Sequence, residues 1–140
     1  MNLLRTVFAD AFYWVALLNP RDSSHQLASS LSDSLQSSII ITTEEVLTEV
    51  LAYFSAWGRR WRSEAVSSVR DILDDPGVQV VPQSHESFLA GLDLYEARLD
   101  KGYSLTDCIS VNTMRAEGVA DVLTNDVHFR QEGFRALFRA

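Results

Sequence analysis

Short apolar runs alternate along this chain with longer segments in which apolar residues recur every three or four positions. Runs of this kind, dense in β-branched residues, predict buried strands. We expect four such strands, at residues 6–9, 39–42, 78–81 and 122–124, and a short last one at 135–138. The periodic segments between them predict helices at residues 11–18, 23–35, 43–54, 60–73, 84–100 and 104–117.

Turn and capping residues mark the ends of these segments. Asn19-Pro20 and Gly58 end two of the helices, and Gly118 follows another. Thr42 with Glu45 matches a capping box, so the third helix is expected to begin at Thr42 or Thr43. Strands that alternate with helices predict an α/β fold, a three-layer α/β/α sandwich with a mainly parallel sheet of four to five strands.

Length and cysteine content bound the class of protein. A chain of 140 residues suits one domain, and we expect residues 1–140 to form a single unit. The one cysteine, Cys108, permits no disulfide within the chain, which fits a reducing cytosol. Arg5 and Asp10 interrupt the opening apolar run, so neither a signal peptide nor a membrane span is predicted. We therefore expect a cytoplasmic protein with no membrane partner.

The net charge of −7 argues weakly against a nucleic-acid ligand, because such proteins usually carry a basic patch. The cations are unevenly distributed, however, and Arg59, Arg60 and Arg62 lie among Trp57 and Trp61. Arginine beside aromatic rings suits phosphate and base contacts, but it equally suits a solvated helix start or a subunit interface. The charge pattern leaves both interpretations open.

Four acidic residues fall where carboxylates can converge. Asp10 directly follows one predicted parallel strand and Asp126 lies just past another, and the carboxyl ends of such strands form the functional edge of open α/β sheets. Glu49 and Asp107 lie in helices that start soon after a strand or a loop. Four like charges repel one another unless a cation holds them, and hard divalent ions prefer oxygen ligands. The pattern predicts a metal-assisted hydrolase.

Each acid also has a purely structural interpretation. Asp10 can cap the helix that follows it, and Asp126 belongs to a turn-forming Asn-Asp pair. Glu49 can lie on a solvated face, and Asp107 suits the first turn of a helix, whose dipole favours negative charge. Taken singly, no acid identifies the site.

Four short segments around these acids resemble those of the PIN-domain family, in particular its VapC-type ribonuclease toxins and their close relatives. They occur in the family's order and at its distances, and the resemblance covers nearly the whole chain. The segments are Phe8–Trp14, Thr42–Leu51, Tyr103–Cys108 and Leu123–Phe129, the last followed by Gly133-Phe134. The resemblance implies a PIN-like, Rossmann-like fold, and it assigns the functional acids to Asp10, Glu49, Asp107 and Asp126.

The resemblance implies hydrolysis of RNA phosphodiester bonds with Mg²⁺ or Mn²⁺, held by Asp10 and Asp107 with Glu49 and Asp126 completing the site. Thr124 and Asn125 are weaker candidates for positioning a water or a phosphate, or they simply close the junction after the strand. His25 and His128 have no partner at metal-ligand spacing, so we expect His128 to pack the loop.

The resemblance also implies an RNA substrate, a small antitoxin over the acidic cleft and a second copy of the chain as partners. In relatives of this kind the helices around the third and fourth form dimers, so the predicted interface consists of the aromatic residues in and between these two helices: Tyr53, Phe54, Trp57 and Trp61. Two alternatives stay open, a housekeeping RNA-processing nuclease of the family and a non-catalytic PIN scaffold that binds RNA or protein. A signalling receiver domain fits poorly, because Asp10 lacks an acidic neighbour and the only lysine is Lys101.

Overall fold

The sheet predicted from the apolar runs is present. The protein was analysed as a computed structural model that describes residues 5–138; residues 1–4 and 139–140, the ends of the predicted domain, lie outside the described residues. Its strands are β1 (Thr6–Ala9), β2 (Ile39–Thr43), β3 (Val78–Val81), β4 (Asp121–Leu123) and β5 (Arg135–Ala136). They form one sheet in the order β3-β2-β1-β4-β5, and all neighbouring strands run parallel.

Seven helices connect and cover these strands within residues 5–138. They are α1 (Ala11–Leu18), α2 (His25–Ser34), α3 (Glu44–Phe54), α4 (Arg59–Asp74), α5 (His85–Ala97), α6 (Leu105–Glu117) and α7 (Val127–Gln131). The predicted α/β sandwich is therefore confirmed, with five parallel strands. The short helix α7 was not predicted, because five residues hold too little of a helical repeat to stand out.

The start of α3 differs from the prediction by one residue, and the capping box of Thr42 and Glu45 is wrong. Thr43 is the N-cap, and its side-chain oxygen accepts a hydrogen bond from the Val46 amide at 3.1 Å. The reason is that β2 extends further than expected, since Thr42 and Thr43 both pair with β3. The buried Thr42 hydroxyl instead donates to the Ala9 carbonyl at 2.8 Å.

One close contact and one helix-ending glycine determine where α6 lies beside the sheet. Helix α5 packs directly on α6, where a methyl group on Gly91 would lie 2.5 Å from Ile109 Cγ1. Gly118 ends α6 in the left-handed conformation, with φ of 67°, which a glycine adopts without strain. The position of α6, and of the acid in its first turn, is thus set by backbone-level packing.

The strand order creates a crevice at the carboxyl end of β1. From β1 the chain moves to β2 and β3 on one side and then crosses to β4 and β5 on the other. Ligands of open α/β folds bind at such a switch point, where neighbouring connections lead in opposite directions.

Among the helices of residues 5–138, none combines the length and the apolar composition that a membrane span requires.

Candidate active site

Asp10 lies at the switch point, directly after the central strand β1, and its residue is only 7% exposed. It precedes α1, but its side chain makes no capping hydrogen bond to that helix. Its Oδ2 instead accepts a hydrogen bond of 2.9 Å from the hydroxyl of Thr124, which follows the neighbouring strand β4. The capping interpretation of Asp10 therefore does not explain its side chain, which points across the crevice to β4.

Thr124 joins two of the acids. Ala9 and Leu123 are register partners in β1 and β4, so the residues that follow them, Asp10 and Thr124, emerge side by side. The fully buried Thr124 hydroxyl donates to Asp10 and accepts a hydrogen bond of 3.1 Å from the Asp126 amide. Thr124 thus holds Asp10 directly, a contact that sequence reasoning did not foresee, while Asn125 is exposed.

Asp107 and Asp126 lie at the N-termini of α6 and α7. Asp107 forms a reciprocal capping box with Ser104, both hydrogen bonds being 3.0 Å long. Asp126 is the N-cap of α7 and accepts a hydrogen bond of 2.9 Å from the His128 amide. Asp107 therefore also fulfils the structural role considered for it, in the first turn of a helix. Asp126 caps the unpredicted helix α7 instead of belonging to the turn that its Asn-Asp pair suggested.

Glu49 projects from α3 at the border of its buried face and is half-buried. Burial, together with the nearby charges of Asp10 and Asp107, raises the pKa of its carboxyl to about 7. Glu49 lines a groove with Ala11 and Phe12 of α1. It therefore lies on the side of α3 that faces the start of α1, directly after Asp10.

The four acids form one electrostatic unit, which we call the acidic cleft: Asp10, Glu49, Asp107 and Asp126. Burial raises the pKa of Asp10 to about 6 against the lowering effect of the Thr124 hydrogen bond, and the charges of Asp107 and Asp126 contribute. Like charges and desolvation both disfavour ionisation here. The structure thus places all four acids around one cleft. Among residues 5–138, the set of three ligand atoms that lie within 4.8 Å of one another includes Asp107 and Asp126 but neither Asp10 nor Glu49.

His128 reaches this cleft as well, contrary to our expectation that it packs the loop. Its Nδ1 lies 3.3 Å from Asp107 Oδ2 and 3.3 Å from Asp126 Oδ1. One ligand atom from each of the three residues lies within 4.8 Å of the others. The available signal was the position of His128 two residues after an N-capping acid, which turns its ring back towards the cap.

The chemistry of these donors suits a divalent cation. Carboxylates that raise each other's pKa are stabilised by a positive ion, and oxygen ligands of this kind hold Mg²⁺ or Mn²⁺. Within residues 5–138, neither a lysine nor an arginine forms a salt bridge with the acidic cleft. The side chains therefore fit a group that binds a metal ion.

One part of the predicted dimer interface is placed elsewhere. Phe54 is fully buried in the core and cannot contact a second copy. Its ring stacks on Trp61 at 5.3 Å, while Tyr53 and Trp57 are exposed by 47% and 42%. The helical repeat placed Phe54 on the apolar stripe of α3, so its burial follows from the periodicity itself.

Comparison with known proteins agrees with this architecture. A sequence model described as the PIN domain matches residues 7–134. Among curated proteins, none matches the chain significantly.

Solved structures of similar fold include VapC20 of Mycobacterium tuberculosis, described as a toxin that cleaves the sarcin-ricin loop. It is 24% identical with a TM-score of 0.81, and the match covers 91% of this chain and 95% of that one. VapBC2 of Rickettsia felis, bound to a promoter DNA fragment, is 16% identical with a TM-score of 0.62 over 91% and 92% of the two chains. DNA-bound VapBC of Salmonella typhimurium is 13% identical with a TM-score of 0.61 over 96% and 97%.

Proposed function

The chain belongs to the PIN-domain family, and from this premise we propose that it is a metal-dependent endoribonuclease and the toxin of a type II toxin–antitoxin pair. The observation that carries the proposal is the acidic cleft, in which four carboxylates converge at the switch point of the sheet without a lysine or arginine partner among residues 5–138. An isolated cluster of that kind is electrostatically costly, and a bound cation offsets the cost.

In this mechanism the four acids would hold Mg²⁺ or Mn²⁺, Asp10 and Asp107 directly and Glu49 and Asp126 directly or through water. Such an ion, when bound, would supply an activated water and positive charge at the leaving 3′ oxygen of the RNA. Thr124 keeps the Asp10 carboxylate turned towards the cleft through its 2.9 Å hydrogen bond. The capping hydrogen bonds at the N-termini of α6 and α7 fix the direction of the Asp107 and Asp126 carboxylates.

The direct test is RNA cleavage by the Asp10→Asn variant. Asparagine keeps the shape of the side chain and an oxygen that accepts from Thr124, but it removes the charge that would hold the ion. We expect Mn²⁺-stimulated cleavage of RNA by the unaltered protein, abolished by EDTA, and a fall of about 10³-fold or more in the variant. Asp71→Asn, at an exposed position on α4, is the matched control and should cleave normally. Undiminished cleavage by Asp10→Asn would remove the mechanism.

The toxin role is supported by the resemblance of the fold to VapC proteins and by a groove beside the cleft. Ala11, Phe12, Val15, Ala52 and Tyr53 line this groove together with Asp22 and Glu49, and its volume is about 690 Å³. A short amphipathic antitoxin segment would place apolar side chains in it and cover Glu49. Expression of the unaltered chain should then arrest growth and Asp10→Asn should not. Normal growth with full cleavage activity would favour the housekeeping nuclease instead.

We also propose a homodimer, formed through the exposed stripe of α5 instead of the aromatic cluster on α3 and α4. The stripe consists of Phe88, Leu89, Leu92 and Tyr95 of α5 and of Leu99 just after the helix, all between 44% and 77% exposed. Together they offer on the order of 500 Å², more than half of the roughly 800 Å² that each partner of a stable interface contributes. Two copies crossing at Leu92 would bury the same residues against each other.

Light scattering after size exclusion tests the dimer. Leu92→Glu should yield a monomer, and Trp57→Glu should leave the dimer intact. The opposite result would return the interface to α3 and α4, and a monomeric unaltered protein would exclude a stable dimer.

A further inference from the structure

His128 stands between two acids of the cleft in a position that a metal ligand would occupy. Its Nδ1 is 3.3 Å from one carboxylate oxygen of Asp107 and 3.3 Å from one of Asp126. The N-cap hydrogen bond of α7 creates this position, because the Asp126 carboxylate binds the His128 amide and thereby brings the ring beside it. The imidazole adds a nitrogen donor to a site otherwise built from oxygen atoms.

Contacts outside the cleft hold the ring in this orientation. The Tyr103 ring packs against the His128 ring with a centroid distance of 5.0 Å. The Tyr103 hydroxyl donates a hydrogen bond of 2.9 Å to Glu132, which is itself bound by Arg98 and Arg115. Gly102 also lies beside the His128 ring, where a methyl group would be in ordinary van der Waals contact with Nε2 at 3.6 Å. The direction of Nδ1 therefore does not depend on its attraction to the carboxylates alone.

The distances match those between neighbouring ligands of one ion. Metal–ligand bonds of about 2.1–2.2 Å at right angles separate adjacent ligand atoms by about 3.0–3.1 Å. The two distances of 3.3 Å from Nδ1 need only a small adjustment to reach this value. The 4.8 Å limit within which all three ligand atoms lie also admits two carboxylates on adjacent or opposite corners.

We propose that His128 is a ligand of the divalent ion through Nδ1, and that it makes the site prefer Mn²⁺ to Mg²⁺. Imidazole nitrogen binds transition ions well, whereas Mg²⁺ prefers oxygen and keeps much of its water. The inference rests on the proposed function in one respect, namely that the acidic cleft binds a divalent ion at all.

Calorimetric titration with Mn²⁺ and with Mg²⁺ separates the two ideas. In His128→Gln we expect Mn²⁺ affinity to fall by about tenfold or more and Mg²⁺ affinity to change by less than about threefold. His85→Gln, which removes an exposed imidazole at the start of α5, is the matched control and should bind both ions normally. Failure of the unaltered protein to bind either ion would refute the proposed function; normal Mn²⁺ binding by a folded His128→Gln would refute only the role of His128.

A competing explanation is that His128 merely serves as a positive counterion to the two acids when no ion is bound. Under that explanation an ion must displace the ring, so His128→Gln would bind both ions equally or more tightly than the unaltered protein. Either of those results overturns the proposal.

Electron spin-echo spectroscopy of the Mn²⁺-bound protein gives a readout that a structural role would not change. A directly bound imidazole produces modulation from its ¹⁴N nucleus. We expect this signal in the unaltered protein and in His85→Gln, and its loss in His128→Gln. Absence of ¹⁴N modulation from the unaltered, Mn²⁺-loaded protein would exclude the nitrogen ligand even if the affinities had changed.

Discussion

Two acidic sites on adjacent parts of this protein differ in how far positive side chains compensate their negative charge. The acidic cleft gathers Asp10, Glu49, Asp107 and Asp126, and burial and mutual repulsion raise the pKa of Asp10 to about 6 and of Glu49 to about 7. Behind it lies the Glu132 cluster, in which Arg98, Arg115 and Tyr103 all bind one carboxylate. Those hydrogen bonds, above all that from Arg98, lower the pKa of Glu132 to about 2 although its side chain is only 5% exposed.

The contrast shows that the fold has the means to neutralise a buried acid. Arginines from the end of α5 and from α6 reach Glu132, yet within residues 5–138 no lysine or arginine reaches the acidic cleft, and the nearest basic side chain there is the imidazole of His128. Uncompensated acids are destabilising, so their persistence beside a well-paired one points to a ligand that supplies the missing charge. The Glu132 cluster therefore stabilises the fold. The four acids of the cleft destabilise it, and a bound ion would remove this destabilisation.

The largest expected effect on stability comes from removing the negative charge of Glu132. Glu132→Gln should lower the free energy of unfolding by about 2–3 kcal/mol near pH 7, because two arginines and the Tyr103 hydroxyl lose a charged acceptor. Since the pKa of Glu132 is lowered, its contribution is present above the ordinary value of 4.5 and disappears as pH falls towards 2. Urea denaturation should show this loss, while Glu117→Gln, an exposed change on α6, should leave stability unaltered.

Removing a charge from the acidic cleft should instead raise the free energy of unfolding. The pKa of Asp10 rises from 3.8 to about 6, so the ionised carboxylate destabilises the fold above pH 6 and ceases to do so as pH falls towards 4. Asp10→Asn should therefore stabilise the metal-free protein by about 1–2 kcal/mol at pH 8. Thermal unfolding in EDTA measures this gain. A loss of stability in Asp10→Asn would mean that the ionised Asp10 carboxylate does not destabilise the fold.

The third and smallest expected effect is the dependence of Mn²⁺ affinity on pH. An ion must displace the protons of Asp10 and Glu49, whose pKa values are about 6 and about 7. The apparent affinity for Mn²⁺ should therefore fall on the order of tenfold between pH 8 and pH 6. Calorimetry at the two pH values tests this. An affinity that does not vary with pH would show that ion binding does not release protons from these two carboxyls.

Much of the fold followed from local pattern. The β-branched runs of β1 to β3 and the periodic stripes of α3 and α6 are long enough to identify their elements, and the parallel sheet follows from their alternation. The end of α5 was predicted less accurately. The helix ends at Ala97 and not at Asp100. Arg98 leaves the helix there and binds Glu132, a partner 34 residues later that no local pattern reveals.

The site was predictable to the extent that topology determines it. Asp10 and Asp126 follow parallel strands, and such strand ends meet at one edge of a sheet. The contact of Thr124 with Asp10 depends on β1 and β4 being direct neighbours, which the sequence does not specify. The position of His128 depends on α7, a helix too short to detect by periodicity, and on a ring orientation set by Tyr103.

The central claim is that the acidic cleft binds a divalent ion, and a crystal soaked in Mn²⁺ tests it most directly. Data collected at the manganese absorption edge would locate the ion independently of any assay. The account predicts an anomalous peak within about 2.4 Å of carboxylate oxygens from both Asp10 and Asp107. A well-ordered crystal with an empty cleft, or with the peak on other acids of the surface, would contradict it.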